Sequence, residues 1–84
     1  MRVSTDVVWC PVEGELILFS ASAGRYFGLE DVAARIWIRF SEGATPEEVA
    51  ETLLSEYDVD PETVHSEMAR LVRELTELRL LVPA

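Results

Sequence analysis

The apolar pattern of this chain changes period at Leu29, and that change limits the fold more than any other feature of the sequence. Upstream, hydrophobic residues come in short β-favouring runs. Val7, Val8 and Trp9 end at Cys10-Pro11, Glu13-Gly14 supplies a turn, and Glu15 through Ser20 follow. A second turn of small residues, closed by Gly24, leads into Arg25-Tyr26-Phe27-Gly28-Leu29. Two turns joining three short strands predict an antiparallel meander. Short connections put the third strand beside the second, so its outer side is expected to be a free sheet edge.

Downstream the spacing is helical. Val32, Ala33, Ile36, Trp37 and Phe40 fall on one face, and Gly43 ends the run. Thr45, Pro46 and Glu48 form the start signal of a second helix, with a capping box, ahead of a stripe of Val49, Ala50, Leu53, Leu54 and Tyr57. Asp60-Pro61-Glu62 repeats that signal for a third helix running to about Leu78. Its central stripe is Val64, Met68, Leu71, Leu75 and Leu78, widened along one flank by His65, Ala69, Val72 and Thr76. Glu67 and Glu74 border the opposite flank. The wide face fits either a helix touching two neighbours or a helix whose flank walls a groove. The expected class is α+β, a winged helix-turn-helix with an N-terminal three-stranded antiparallel sheet followed by three helices, forming a single domain over residues 1–84.

A chain of 84 residues has room for one modest core and buries roughly 60–65% of the surface its unfolded form exposes. A bound partner therefore adds appreciably to its stability by mass action. With 49% hydrophobic and 27% charged residues the composition is that of a soluble globular domain, and no apolar run approaches the ~20 residues that span a bilayer. The N-terminus lacks the apolar stretch of a secretory signal, and the one cysteine, Cys10, has no second thiol to pair with. A cytoplasmic location is expected, with no membrane partner.

The net charge is −9, and all seven basic residues are arginine. Residues 29–59 hold eight acids against Arg35 and Arg39, which makes the first two helices either a solvated acidic face or a docking surface for a basic partner. That balance excludes nucleic acid as a partner, because phosphate contacts from basic side chains supply most non-specific affinity and the last helix with the turn after it offers only three arginines.

The inventory for catalysis is thin. His65 and Cys10 lie in different elements, no further soft ligand completes a zinc site, and the acids give no isolated carboxylate pair in an apolar setting. There is no glycine loop to cradle phosphate, and no serine follows an aspartate as it does in carrier proteins bearing a phosphopantetheine arm. No enzymatic activity, metal or cofactor is expected.

The run from Leu18 to Trp37, with Tyr26-Phe27 before Leu29 and Ile36-Trp37 beyond it, then Thr45-Pro46-Glu47-Glu48-Val49 and Tyr57-Asp58-Val59-Asp60-Pro61, resembles the PqqD-like peptide-recognition family. Leu75 through Leu81 resembles it as well, although the family's usual glycine in the final turn is Arg79 here. The resemblance covers most of residues 16–82. It implies a winged helix-turn-helix that recognises the leader segment of ribosomally synthesised, post-translationally modified peptides. Stand-alone members of this size are similar to the B1 proteins of lasso-peptide pathways, which present the precursor to a separate leader-cleaving cysteine protease. A PqqD-type chaperone for a radical enzyme is the alternative within the family, and an adaptor that self-associates through its sheet edge is the alternative outside it.

In such domains the leader adds as a strand against the third strand of the meander and packs on the third helix. The matching residues here are Arg25, Tyr26, Phe27 and Gly28 on the strand, and Val64, Glu67, Met68, Leu71, Val72 and Leu75 on the helix. Residues 24–29 contain only Arg25 as a charge that blunts the edge. Alternation puts Arg25 and Phe27 on one face of the strand and Tyr26 and Gly28 on the other. Phe27 in the core with Tyr26 at the groove suits the phenol's need for a polar partner. Met68, Leu71, Val72 and Leu75 are the expected apolar contacts. Arg25 is expected to pair with a leader carboxylate, and Glu67 or Glu74 with a leader base. Aspartate at Tyr26 and Val72 together is expected to abolish binding in a folded domain. Charge reversal at Glu47, Glu48 and Glu51 is expected to weaken processing while leaving binding intact.

Overall fold

A computed structural model describes residues 1–83. Strands β1 (Arg2–Val3), β2 (Val7–Val12), β3 (Glu15–Ser20) and β4 (Arg25–Glu30) precede helices α1 (Asp31–Ser41), α2 (Pro46–Glu56) and α3 (Pro61–Glu77), and β5 (Leu81–Val82) closes the chain. The meander is present as an antiparallel sheet in the order β2-β3-β4. Its first turn uses Glu13 and Gly14, both at positive φ (48° and 85°), the geometry whose twist matches two flanking antiparallel strands.

The register sorts the faces. Leu16 pairs with Leu29, Leu18 with Phe27 and Ser20 with Arg25. Leu16, Leu18 and Ser20 are the buried members of β3, so Arg25, Phe27 and Leu29 point to the same inner side, where Phe27 and Leu29 pack against the core. Trp37, Phe40 and Ile36 of α1 are almost wholly buried with Leu18, Val49, Leu80 and Leu81. Trp9 meets the edge of Trp37 with ring centroids 5.5 Å apart.

The helices begin as their sequences dictate. Thr45 accepts from the Glu48 backbone N–H at 3.2 Å, and the Glu48 side chain accepts from the Thr45 N–H at 2.8 Å. Asp60 accepts from the Thr63 N–H, and Pro46 and Pro61 occupy first-turn positions where no N–H is needed. The entry into α1 departs from expectation. The strand runs on to Glu30 and the helix starts at Asp31 with no linking residue; Asp31 takes the turn at φ 49°, a conformation that a short polar side chain tolerates better than most.

A second, two-stranded sheet of β1 and β5 lies outside the expected meander. Arg2 pairs with Val82 and Val3 with Leu81, which brings the two ends of the chain together. Val3 packs against the core and Leu81 lies within it.

Candidate functional site

Among the described residues β4 is hydrogen-bonded on one side only, so a row of backbone donors and acceptors faces outward from Arg25 to Glu30. The other free edge, β2, carries Pro11, which has no N–H to offer an added strand. On β4 the guanidinium of Arg25 sits over the Phe27 ring at 5.1 Å, and Gly28 contributes no side chain. A Cβ at Gly28 would come within 3.0 Å of a Glu15 carboxylate oxygen, so a larger residue there would displace Glu15.

The chain passes from β4 directly into α1, and at that corner lies an apolar pocket of about 310 Å³. Val32, Ala33 and Ile36 of α1 form one wall, and Thr63, Val64, Glu67, Arg70 and Leu71 of α3 form the other; Leu53, Tyr57 and Val59 close the end. The 3.6-residue period explains which part of α3 faces it. Positions 63, 67, 70 and 71 share one flank, whereas His65, Met68, Ala69 and Val72 share the other. The second flank lines a separate pocket of about 320 Å³ with Met1, Pro46, Glu47 and Ala50.

The expected site residues therefore divide. Arg25, Tyr26, Phe27 and Gly28 lie on the open strand, and Val64, Glu67 and Leu71 line the pocket at its end. Met68 and Val72 face α2, and Leu75 is a core residue at 3% exposure. Val64 and Met68 are also buried, so the pocket's accessible α3 wall is Thr63, Glu67, Arg70 and Leu71. Tyr26, 72% exposed, lies on the side of the sheet away from the helices, its ring 4.8 Å from that of Phe19. It borders the strand edge from that side, and the expected polar environment of its phenol is simply solvent.

The pocket residues that lie outside the expected site are Val32, Ala33, Ile36, Leu53, Tyr57, Val59, Thr63 and Arg70. The first three belong to the apolar stripe of α1, and nothing in a single helix's periodicity tells a pocket wall from a core contact.

Electrostatically the pocket rim is balanced. Arg70 bridges Glu67 and Glu74, so a ligand cation approaching Glu67 competes with a resident guanidinium. The far end of the open strand is acidic. Glu15 and Glu30 are cross-strand partners, and the hydrogen bond that a protonated Glu30 carboxyl donates to Glu15, together with the Glu15 charge, raises the Glu30 carboxyl above its ordinary range. Among the described residues no group of three or more His, Cys, Asp or Glu is gathered as metal ligands would be, and no helix is long and apolar enough to cross a membrane.

An α+β domain with a winged helix-turn-helix arrangement, a free strand edge and an adjoining apolar pocket is thus the class that the geometry defines. Residues 15–81 match the family of coenzyme PQQ synthesis protein D, and the chain belongs to that PqqD family. No curated protein matches it. Among solved structures it is similar to TbiB1 in complex with the TbiA(beta) leader peptide, at 36% identity and a TM-score of 0.94 over 100% of this chain and 98% of that one. It is also similar to a lasso peptide synthetase B1 complexed with the leader peptide, at 30% identity and a TM-score of 0.87 over 98% and 96% of the two chains.

Proposed function

We propose that this domain captures the leader segment of a ribosomally made precursor peptide as an added strand on β4 and presents it to a maturation enzyme, the leader-cleaving cysteine protease of a lasso-peptide pathway. The observation that carries the reading is the junction of an open, barely blunted strand edge with an apolar pocket at its end. Strand addition uses backbone hydrogen bonds for general affinity and side-chain pockets for selectivity. A strand laid along β4 directs alternate side chains to the helix side, where Leu71, Val32 and Ala33 receive an apolar residue, and to the opposite side, where Tyr26 lies alongside. The similarity to two chains solved with leader peptides supports the same reading.

The domain itself is non-catalytic and needs no cofactor. Its effect on processing is one of tethering: holding the leader raises the effective concentration of the scissile region near the enzyme. The location that suits this role is the cytoplasm.

The test is a titration. A fluorescently labelled N-terminal half of the matching precursor is mixed with increasing protein and followed by anisotropy. Saturable binding is expected. A flat response, with the protein instead dimerising as its own concentration rises, overturns leader capture in favour of an adaptor that self-associates through its edge.

A further inference from the structure

The outer face of the three-stranded sheet is apolar and uncovered. The register lines up Val8, Phe19 and Tyr26 in one cross-strand row, Cys10, Ile17 and Gly28 in the next, and Val12, Glu15 and Glu30 in the third. All nine positions point away from the helices, because their neighbours Leu16, Leu18 and Ser20 are buried on the other side. Val8 is 65% exposed, Val12 47% and Tyr26 72%, and Cys10 is exposed as well. The solvated face of an antiparallel sheet ordinarily carries polar residues, and a contiguous apolar patch marks an interaction surface.

We propose that this outer face is the docking surface for the maturation enzyme, which meets it with an apolar patch flanked by a basic group. The inference rests on the leader-binding reading above and adds to it a second, separate surface. Two features identify the occupant. The first is charge: the only acidic or basic residues among the nine are Glu15 and Glu30, with Glu13 in the adjoining turn, so the complementary partner is cationic at the Val12 end. The crowding that raises Glu30 is relieved by a cation there.

The second feature is continuity. A leader paired with β4 becomes the fourth strand of this same sheet, and every second leader residue joins the outer face beside Tyr26. An enzyme seated there touches the domain and its cargo together and discriminates the loaded domain from the empty one. A second copy of the chain fits this face less well, because it carries the same −9 net charge and brings its own Glu15 and Glu30 to the contact.

Cys10, the one cysteine of the chain, makes the face directly observable. The full-length protein is treated with iodoacetamide, and alkylation at Cys10 is followed by mass spectrometry alone, with labelled leader, and with precursor plus the leader-cleaving protease of the same pathway. Leader alone is expected to leave the rate unchanged, since β2 is two strands from the edge it occupies; leader and protease together are expected to slow it at least fivefold. In parallel, Val8→Lys combined with Val12→Lys is expected to bind leader within twofold of wild type and to slow cleavage at least tenfold at limiting protease.

Unprotected Cys10 with wild-type cleavage by the double variant overturns the docking surface while leader capture stands. Protection that follows the chain's own concentration without protease overturns it in favour of a second copy. A wild-type protein that gives no anisotropy response to the leader sinks both readings, and the anisotropy titration alone reveals that case.

Discussion

The backbone N–H of Leu80 donates to the carbonyl of Leu75 at 2.9 Å, and this bond ends α3 while turning the chain into β5. Arg79 between them donates to the Thr76 carbonyl at 3.0 Å and adopts φ 61°. The paired bonds, with Leu75 and Leu80 both buried, form the Schellman termination in which glycine is the favoured residue at the left-handed position.

Arg79 consequently holds a backbone conformation that costs a residue with a Cβ roughly 1–2 kcal/mol. Arg79→Gly is expected to stabilise the domain by about 0.5–1 kcal/mol, part of the relief being offset by the greater freedom of glycine in the unfolded chain. Arg79→Val, with a branched Cβ, is expected to destabilise it. Urea melts of the three proteins check the order, and a glycine variant less stable than wild type contradicts the strain argument.

At the other end of a helix, the reciprocal bonds between Thr45 and Glu48 satisfy two donors that the first turn of α2 leaves without partners. Thr45→Ala is expected to cost about 1 kcal/mol, which in a domain of this size lowers the melting midpoint by roughly 4–8 °C. Thermal unfolding by circular dichroism measures it directly, and a change within error means that α2 is held by packing alone.

These local devices are the part of the fold that its sequence declares openly. Cap residues, turn glycines and apolar period act within a few positions of themselves, so the meander, the starts of α2 and α3 and the buried face of α1 were legible. The β1 and β5 strands were not, because two-residue strands have no period; Arg2 and Val82 pair only because the core brings the ends together. The site was legible in part for the same reason. Alternation on β4 separates Phe27 from Tyr26, but a helical wheel for α3 cannot say that Leu71 looks toward α1 while Val72 looks toward α2. Only the packing of all three helices decides that.

Two glutamates are expected to give stability opposite dependences on pH. The hydrogen bond from Arg35 to Glu56, bidentate at 2.8 Å for each contact, holds the Glu56 carboxyl below its ordinary 4.5. Its contribution is present above pH 4.5 and is lost as pH falls through the lowered folded value. Glu30 is raised above 4.5 by Glu15, so its contribution is present below pH 4.5 and is lost as pH rises through the raised folded value. Glu56→Gln should therefore melt lower than wild type at pH 7 and converge with it in acid, whereas Glu30→Gln should melt higher at pH 7 and converge in acid. Both differences should be small, since exposed pairs contribute little. Melting curves from pH 3 to 7 decide the matter, and a Glu30→Gln variant less stable at pH 7 removes the repulsion from the account.

The division of α3 into two flanks gives the sharpest test of where a leader sits. Leu71 is half-buried in the wall of the pocket beside β4, with Val32 and Ala33 opposite. Val72, one residue on, is equally half-buried but faces Pro46 and Ala50. Aspartate at either position introduces a charge of the same size at a similar depth, so the folding penalties should match closely and circular dichroism serves as the control. Their effects on binding should not match. Leu71→Asp places a carboxylate in the apolar wall proposed to receive a leader side chain and is expected to weaken leader affinity at least tenfold, equivalent to about 1.4 kcal/mol. Val72→Asp is expected to leave it within about twofold. Tyr26→Asp should fall between them, because the ring flanks an added strand from the solvent side without enclosing any leader residue. If Val72→Asp proves the more damaging of the helix pair in the anisotropy titration, the leader lies against the α2 side of α3, and the pocket at the β4–α1 corner serves something else.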